Sequence, residues 1–307
     1  MIKRNKFLFL GAVLLSCLIL GTIAFLGIGN DGFTERRILF IPKETPEKLK
    51  AISFQKDLPS LEVMLKQKFY YLGKGAQCYV FRSEDRQLVI KFFKGQHLQL
   101  PEWLEKIPLP KILDHYREES KQRKLERMLT SFESYQIAYN YLQRETGLLK
   151  IHLNPHLSPS SSIKIMLVDK QGKPHSIDLA QTCFILQKNV DELVYPYLDR
   201  FIKLGETDKV KYALLQIYNH ILHNARKGIY NFDRAFGQNY GFSNGQLIQF
   251  DIGSFALTEN ANDPKWIKGE IKEATQELQW WLSQNSPDLY HWFYSELLES
   301  EPPLKDL

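Results

Sequence analysis

Three oxygen-bearing side chains and one lysine carry the chemistry that this sequence can be read for. Asp233, Asn239 and Asp251 fall within a single stretch, NFDRAFGQNYGFSNGQLIQFDIGSF, which runs from Asn231 to Phe255. Its second half reads as a β-hairpin whose turn is Asn244-Gly245, a pair that accepts the positive φ angles of a type I′ turn. Asn239 lies before the first strand and Asp251 just after the second, so strand pairing turns a separation of twelve residues (251 minus 239) into two neighbouring oxygen ligands. One amide and one carboxylate suit Mg2+, which takes one or two protein oxygens beside substrate phosphates and water. Asp233 stands apart, placed to orient a hydroxyl that accepts a phosphoryl group.

Upstream, Gly73-Lys-Gly75-Ala-Gln-Cys78-Tyr-Val80 forms a turn between two strand-like runs. Glycines there let backbone N–H groups approach phosphate oxygens closely; a tight hairpin accounts for the same residues. On the next strand, Leu88-Val89-Ile90-Lys91 sets a lysine among apolar neighbours. Its charge needs a partner, which a bound phosphate or a helix carboxylate supplies, unless the amine snorkels out at the strand end. Glu133, in the middle of a long helix, is the candidate carboxylate, and Glu126, one heptad earlier, competes with it. Cys78 reads as a reactive thiol if loop amides and Lys91 lower its pKa, and as packing if it faces inward. His152 and His156 are four apart, but Pro155 breaks the helix that would align them, so no metal is assigned there.

The elements that must position these residues follow from periodicity. KFYYLGKGAQCYVFRSEDRQLVIKFFKG reads as strands with a turn at SEDRQ, and LPEWLEKIPLP as an irregular insertion. A helix is expected from about His115 to Glu145, because Leu125, Met128, Phe132, Tyr135, Tyr139 and Leu142 recur at three- and four-residue steps, with Gly147 at its end. SIKIMLVDKQGKPHSIDLAQTCFILQK reads as two strands about DKQGKP. TDKVKYALLQIYNHILHNARKG reads as a second helix, with Val210, Leu214, Ile217, Ile221 and Leu222 on its apolar face and Gly228 stopping it. The tail is helical, with Trp280, Trp281 and Trp292 assigned to packing. Strands come first and helices follow, so the class is α+β.

Composition narrows the function. The chain has 307 residues and a formal net charge of +5. No dense Lys/Arg stripe repeats through the body, which argues against nucleic acid as a partner. Three cysteines, one of them in the apolar N-terminal run, give neither a disulfide framework nor a zinc spacing. Lys3, Arg4 and Lys6 precede an uncharged run from Phe7 to Asn30, longer than the ~20 residues a membrane helix needs and longer than a signal-peptide core. A retained membrane anchor, via residues 7–29, is expected. LLSC, ending at Cys17, has the look of a lipoprotein box, but apolar sequence continues past it. Arg36, Arg37 and Lys43 on the far side of the run leave the orientation close to a tie.

Taken in chain order, these pieces resemble the protein kinase-like superfamily, from roughly Lys66 to the C-terminus. GKGAQCYV resembles the Gly-rich loop, so the resemblance implies that Gly73, Gly75, Cys78 and Val80 cover the nucleotide. LVIK resembles V-A-I-K, which makes Lys91 the ATP-phosphate lysine and Glu133 its helix partner. Asp233 and Asn239 resemble the catalytic-loop Asp and Asn, and Asp251-Ile-Gly253 resembles D-F-G. FILQKNV becomes the strand that leads to the hinge. The implied cofactors are ATP and Mg2+. The expected architecture is a two-lobed protein kinase-like fold behind an N-terminal transmembrane helix: residues 1–30 as anchor, 31–65 as linker, 66–188 as N-lobe and 189–307 as C-lobe.

The departures from that pattern are specific. Cys78 replaces the third loop glycine. Asn239 is six residues after Asp233 instead of five. Phe232 and Ala235 stand where Arg and Lys are usual, with Arg234 as a substitute charge. No A-P-E follows Asp251, so a short or absent activation segment is expected. Two functions follow from the resemblance. One is a membrane-anchored atypical kinase that transfers the ATP γ-phosphate to an unknown acceptor. The other is a pseudokinase, a membrane-tethered nucleotide-binding or scaffold module without the chemistry. An unrelated α+β domain is the third reading.

Overall fold

Between Lys68 and Phe93, apolar side chains alternate with the period of two that a pleated strand requires. In the computed structural model, which describes residues 13–19, 21, 31–39, 58–95, 111–153 and 163–300, this pattern forms three antiparallel strands. They are β1 (Lys68–Lys74), β2 (Cys78–Ser83) and β3 (Leu88–Phe93). Four more strands complete a sheet in the order β4-β7-β3-β2-β1-β5-β6: β4 (Leu148–His152), β5 (Lys164–Val168), β6 (Pro174–Asp178) and β7 (Phe184–Lys188). Only the β1–β5 pairing is parallel. The segment expected as two strands is therefore three, because the 3-10 turn Leu179–Gln181 separates β6 from β7. β4 had no clear alternation to announce it.

Both faces of this sheet are covered. Ile90 and Phe92 pack with Phe69, Tyr79, Phe81 and Phe184 in one cluster. Phe93, of opposite parity, packs with Met128, Phe132, Tyr135 and Leu142 in another. Those last residues lie on or just beyond a long helix, α2 (Lys111–Tyr141), as its three- and four-residue spacing requires. α2 ends earlier than expected, and a separate turn, Gln143–Thr146, carries the chain to Gly147 at φ 62°. Lys91 shares its parity with Phe93, so it lies on the α2 side of the sheet.

Part of the region expected as a linker belongs to the opposite face. Residues 31–39 lie against it, with Phe33 and Ile38 at 1% and 0% exposure. The Phe33 ring meets Tyr79 and Phe81 edge-on at 5.4 and 5.1 Å. Tyr79 Oη donates to the Gly32 carbonyl at 2.6 Å. His175 bridges Glu35 and Asp169, at 2.6 and 2.8 Å. A short helix, α1 (Leu58–Leu65), places Leu65 in the same cluster. The remainder of the expected linker lies outside the described residues.

Beyond β7 the chain turns helical. β8 (Glu192–Leu193) leads into α3 (Val194–Lys203) and α4 (Thr207–Arg226). All five expected core positions of α4 are buried, and Gly228 follows at φ 69°. Then come β9 (Ile229–Asn231), β10 (Tyr240–Ser243), β11 (Gln246–Gln249) and β12 (Phe255–Leu257). β10 pairs with β11 and β8, and β9 with β12. α5 (Pro264–Ala274), α6 (Gln276–Asn285), α7 (Pro287–Trp292) and a π-helical turn (Phe293–Leu298) close the described chain. Trp281 stacks on Tyr195 at 5.0 Å, and Trp292 packs on the same core. Trp280 does not: it is 66% exposed, one helical step away from the buried face.

The architecture is thus α+β, a large mixed sheet with helices. Most of the apolar N-terminal run lies outside the described residues. Residues 13–19 and 21 of it are helical. Among the described residues, no helix is long and apolar enough to cross a membrane.

Because Phe33 fills a position in the sheet core, Phe33→Ala is expected to cost about 3–5 kcal/mol, as for other buried aromatic truncations. Chemical denaturation of the full-length chain measures this. A cost near zero would return residues 31–39 to the status of a linker.

Candidate functional site

The turn between β1 and β2 is closed by Gly75 N–H donating to the Cys78 carbonyl at 3.0 Å. Neither Gly73 nor Gly75 takes a positive φ, and a Cβ on either would meet nothing within 4 Å. The hairpin itself therefore does not require glycine at these positions. What glycine adds is bare backbone facing open space, the property a phosphate cradle uses. Lys94, which the sequence did not single out, props the loop by donating to the carbonyls of Gly75 and Ala76 at 2.5 and 3.3 Å.

Cys78 follows the packing reading of its thiol and departs only from the roof position that the resemblance implies. It begins β2 with its side chain buried on the α2 side, 7% exposed, and hydrogen-bonds with the Tyr135 hydroxyl. Burial pushes its thiol up to about 12, against an opposing pull from the Lys91 charge. It neither roofs the loop nor carries an activated thiolate. Val80, half-buried, is opposite Lys91 in the strand register.

The Lys91 amine donates to the Phe250 carbonyl at 2.7 Å, joining groups 159 residues apart in sequence. Burial lowers the pKa of this amine, and the neighbouring Asp251 carboxylate opposes the shift. The expected helix carboxylate is not there. Glu133 and Glu126 are both exposed on the outer side of α2, and no ion pair joins either to Lys91 among the described residues. The inward positions next to Glu133 are Phe132, Ser134 and Tyr135. A single helix stripe cannot face both solvent and sheet, and the aromatic residues take the sheet side.

Asn239 and Asp251 come together through the hairpin. Asn244 and Gly245 both take positive φ, 50° and 74°, as a type I′ turn demands. The ladder runs from Ser243–Gln246 to Tyr240–Gln249. One step beyond it, the Asn239 carbonyl accepts from Phe250 N–H at 2.9 Å and from Asp251 N–H at 3.5 Å. Asn239 is buried, and its Nδ2 donates to the Asp233 carbonyl at 3.3 Å. Asp251 is exposed. Its carboxylate and the Asn239 side-chain amide are oxygen donors of the kind Mg2+ takes. Among the described residues no three His, Cys, Asp or Glu side chains cluster as a metal cage.

Asp233 is exposed at the start of the connecting turn. Its Oδ1 accepts from Ala235 N–H at 2.9 Å, and its own N–H donates to Asn231 Oδ1 at 3.0 Å. The tail helices hold this turn. Arg234 makes two bonds to Glu270 of α5, at 2.7 and 2.8 Å, so its charge is matched there. From α6, Glu277 accepts from the N–H groups of Phe236 and Gly237 at 2.6 and 3.2 Å and from Tyr195 Oη at 2.9 Å. No local signal marks Glu277, since its backbone partners lie 40 and 41 residues away.

The site is a convergence of groups, not an enclosed cavity. Asp233 and Arg234 line a space of only about 20 Å3. A groove of about 1140 Å3, lined in part by Lys188, His223 and Ile248, includes none of the site residues expected from the sequence.

Two outcomes are expected. Glu277→Ala leaves two partly buried N–H groups without their acceptor, at a cost of about 1–3 kcal/mol by urea denaturation. Cys78 and Cys183, both raised by burial, should resist a thiol reagent in the native chain at pH 8 and react only in denaturant. Fast labelling of Cys78 would restore the exposed roof position. The chain matches no family model, and no curated protein matches it.

Proposed function

We propose that this chain is a kinase-like phosphotransferase that uses ATP and Mg2+, with an acceptor still to be identified. The observation that carries the reading is the convergence at Phe250. The sheet delivers Lys91 to its carbonyl at 2.7 Å, and the hairpin delivers Asn239 and Asp251 to its two sides. The order of elements supports the same reading: a glycine turn, a lysine strand, a long helix, a strand into a connecting segment, a carboxylate turn, and a hairpin ending in Asp-Ile-Gly. That is the order the superfamily resemblance implies.

In this reading the bare backbone at Gly73 and Gly75 faces the phosphates, and Lys91 supplies a positive charge to them. Asn239 and Asp251 would hold the cation, which supplies neutralisation of the charge on the phosphates. Asp233, exposed and fixed by its backbone bonds, orients the acceptor hydroxyl. Positioning and charge account for most of such a rate enhancement. The uncharged run from Phe7 to Asn30 serves as the membrane anchor, its length being sufficient for a span.

A pseudokinase is the second reading, and two observations favour it. Among the described residues no helix carboxylate pairs with Lys91, and Arg234 is occupied by Glu270. Phosphoryl transfer from labelled Mg-ATP, to water or to the chain itself, separates the two. The first reading expects Asp233→Ala to reduce the rate about 100-fold or more, the range for loss of a positioned acid–base group. Equal rates in both proteins would remove Asp233 from the mechanism. Nucleotide binding without any transfer would leave the pseudokinase.

A further inference from the structure

Ser134 lies about two turns before the C-terminal end of α2, with 0% exposure. Serines inside helices usually turn their hydroxyl back to the carbonyl four residues earlier. Two neighbours do so: Thr130 donates to Glu126 and Ser131 to Arg127, both at 3.0 Å. Ser134 behaves differently. Its Oγ donates to the Ile252 carbonyl at 2.6 Å and accepts from Phe255 N–H at 2.6 Å. One hydroxyl thereby fixes two backbone groups of the segment that follows Asp251. Tyr135 braces the same segment: its Oη is 3.2 Å from where a Cβ on Gly253 would stand. A side chain at 253 would require the Tyr135 hydroxyl to give way by a few tenths of an ångström.

These contacts fill a specific gap. In the kinase-like arrangement, a long helix is coupled to the site by an acid that pairs with the strand lysine. Here the acids of α2 that were candidates face solvent, and the contacts described above run from its inner side to residues 252–255. Resting on the function proposed above, we propose that Ser134 is a positioning residue that couples the placement of α2 to that of the metal ligand Asp251.

The test is calorimetric titration of ATP into the full-length chain, once in excess Mg2+ and once in EDTA, for wild type, Ser134→Ala and Ser134→Cys. Partners that orient a metal ligand typically contribute about 10–100-fold to metal affinity. Ser134→Ala is therefore expected to reduce the Mg2+-dependent gain in ATP affinity about tenfold, with ATP affinity in EDTA unchanged. Ser134→Cys, with a weaker and longer hydrogen-bonding group, is expected to show the same split in smaller measure, and decides the matter if the alanine variant does not fold. An unchanged Mg2+ gain overturns the proposal. So does an equal loss in both buffers, which marks general damage. Absence of ATP binding by wild type in either buffer overturns the proposed function itself, and this proposal with it.

Discussion

The contact between the Lys91 amine and the Phe250 carbonyl is the constraint on which the rest of the site depends. A part-buried ammonium is costly unless it is hydrogen-bonded and faces an opposite charge. Phe250 meets the first requirement at 2.7 Å, and Asp251 meets the second. Both partners sit at the end of a hairpin, and Lys91 is central to a seven-stranded sheet. The two halves of the chain must therefore dock in one register for the lysine to be satisfied. A charge that is expensive to misplace specifies the arrangement more tightly than apolar packing alone would.

Supporting contacts reach this centre from three directions. On the outer face of the sheet, residues 31–39 fix β2 through Phe33 and the Tyr79–Gly32 bond, and Lys94 holds the glycine turn. From α2, Ser134 fixes the segment after Asp251. From the tail, Glu270 and Glu277 hold the turn that carries Asp233 and leads to Asn239. Each support acts on backbone or on a neighbouring residue, which leaves the Asp233 and Asp251 side chains exposed. The helical tail thus holds the carboxylate turn.

Features governed by local rules were legible in the sequence. Asn244-Gly245 specified a hairpin because only that turn type uses two positive φ angles in succession, and the hairpin in turn brought Asn239 to Asp251. The core face of α4 was legible from its period. What escaped were decisions made by distant packing. Glu133 and Tyr135 are two positions apart on one helix, and only the sheet beneath α2 determines which of them turns inward. Cys78 belongs to the turn by sequence and to the core by strand parity. Phe33 and Ile38 are too few to announce an element, yet the sheet buries them completely. Two of the three Glu277 contacts go to backbone amides, and no residue pattern records those.

The most direct test of the central claim is thermal denaturation of the full-length chain with Mg-ATP, with ATP in EDTA, and without nucleotide, beside Lys91→Ala and Asp251→Ala. A ligand that binds only the native state, at a hundred times its Kd, adds about 2.7 kcal/mol of stability. The account predicts a rise in Tm that requires Mg2+ together with both Lys91 and Asp251. No rise in a folded wild-type chain, or an equal rise in both variants, would contradict it.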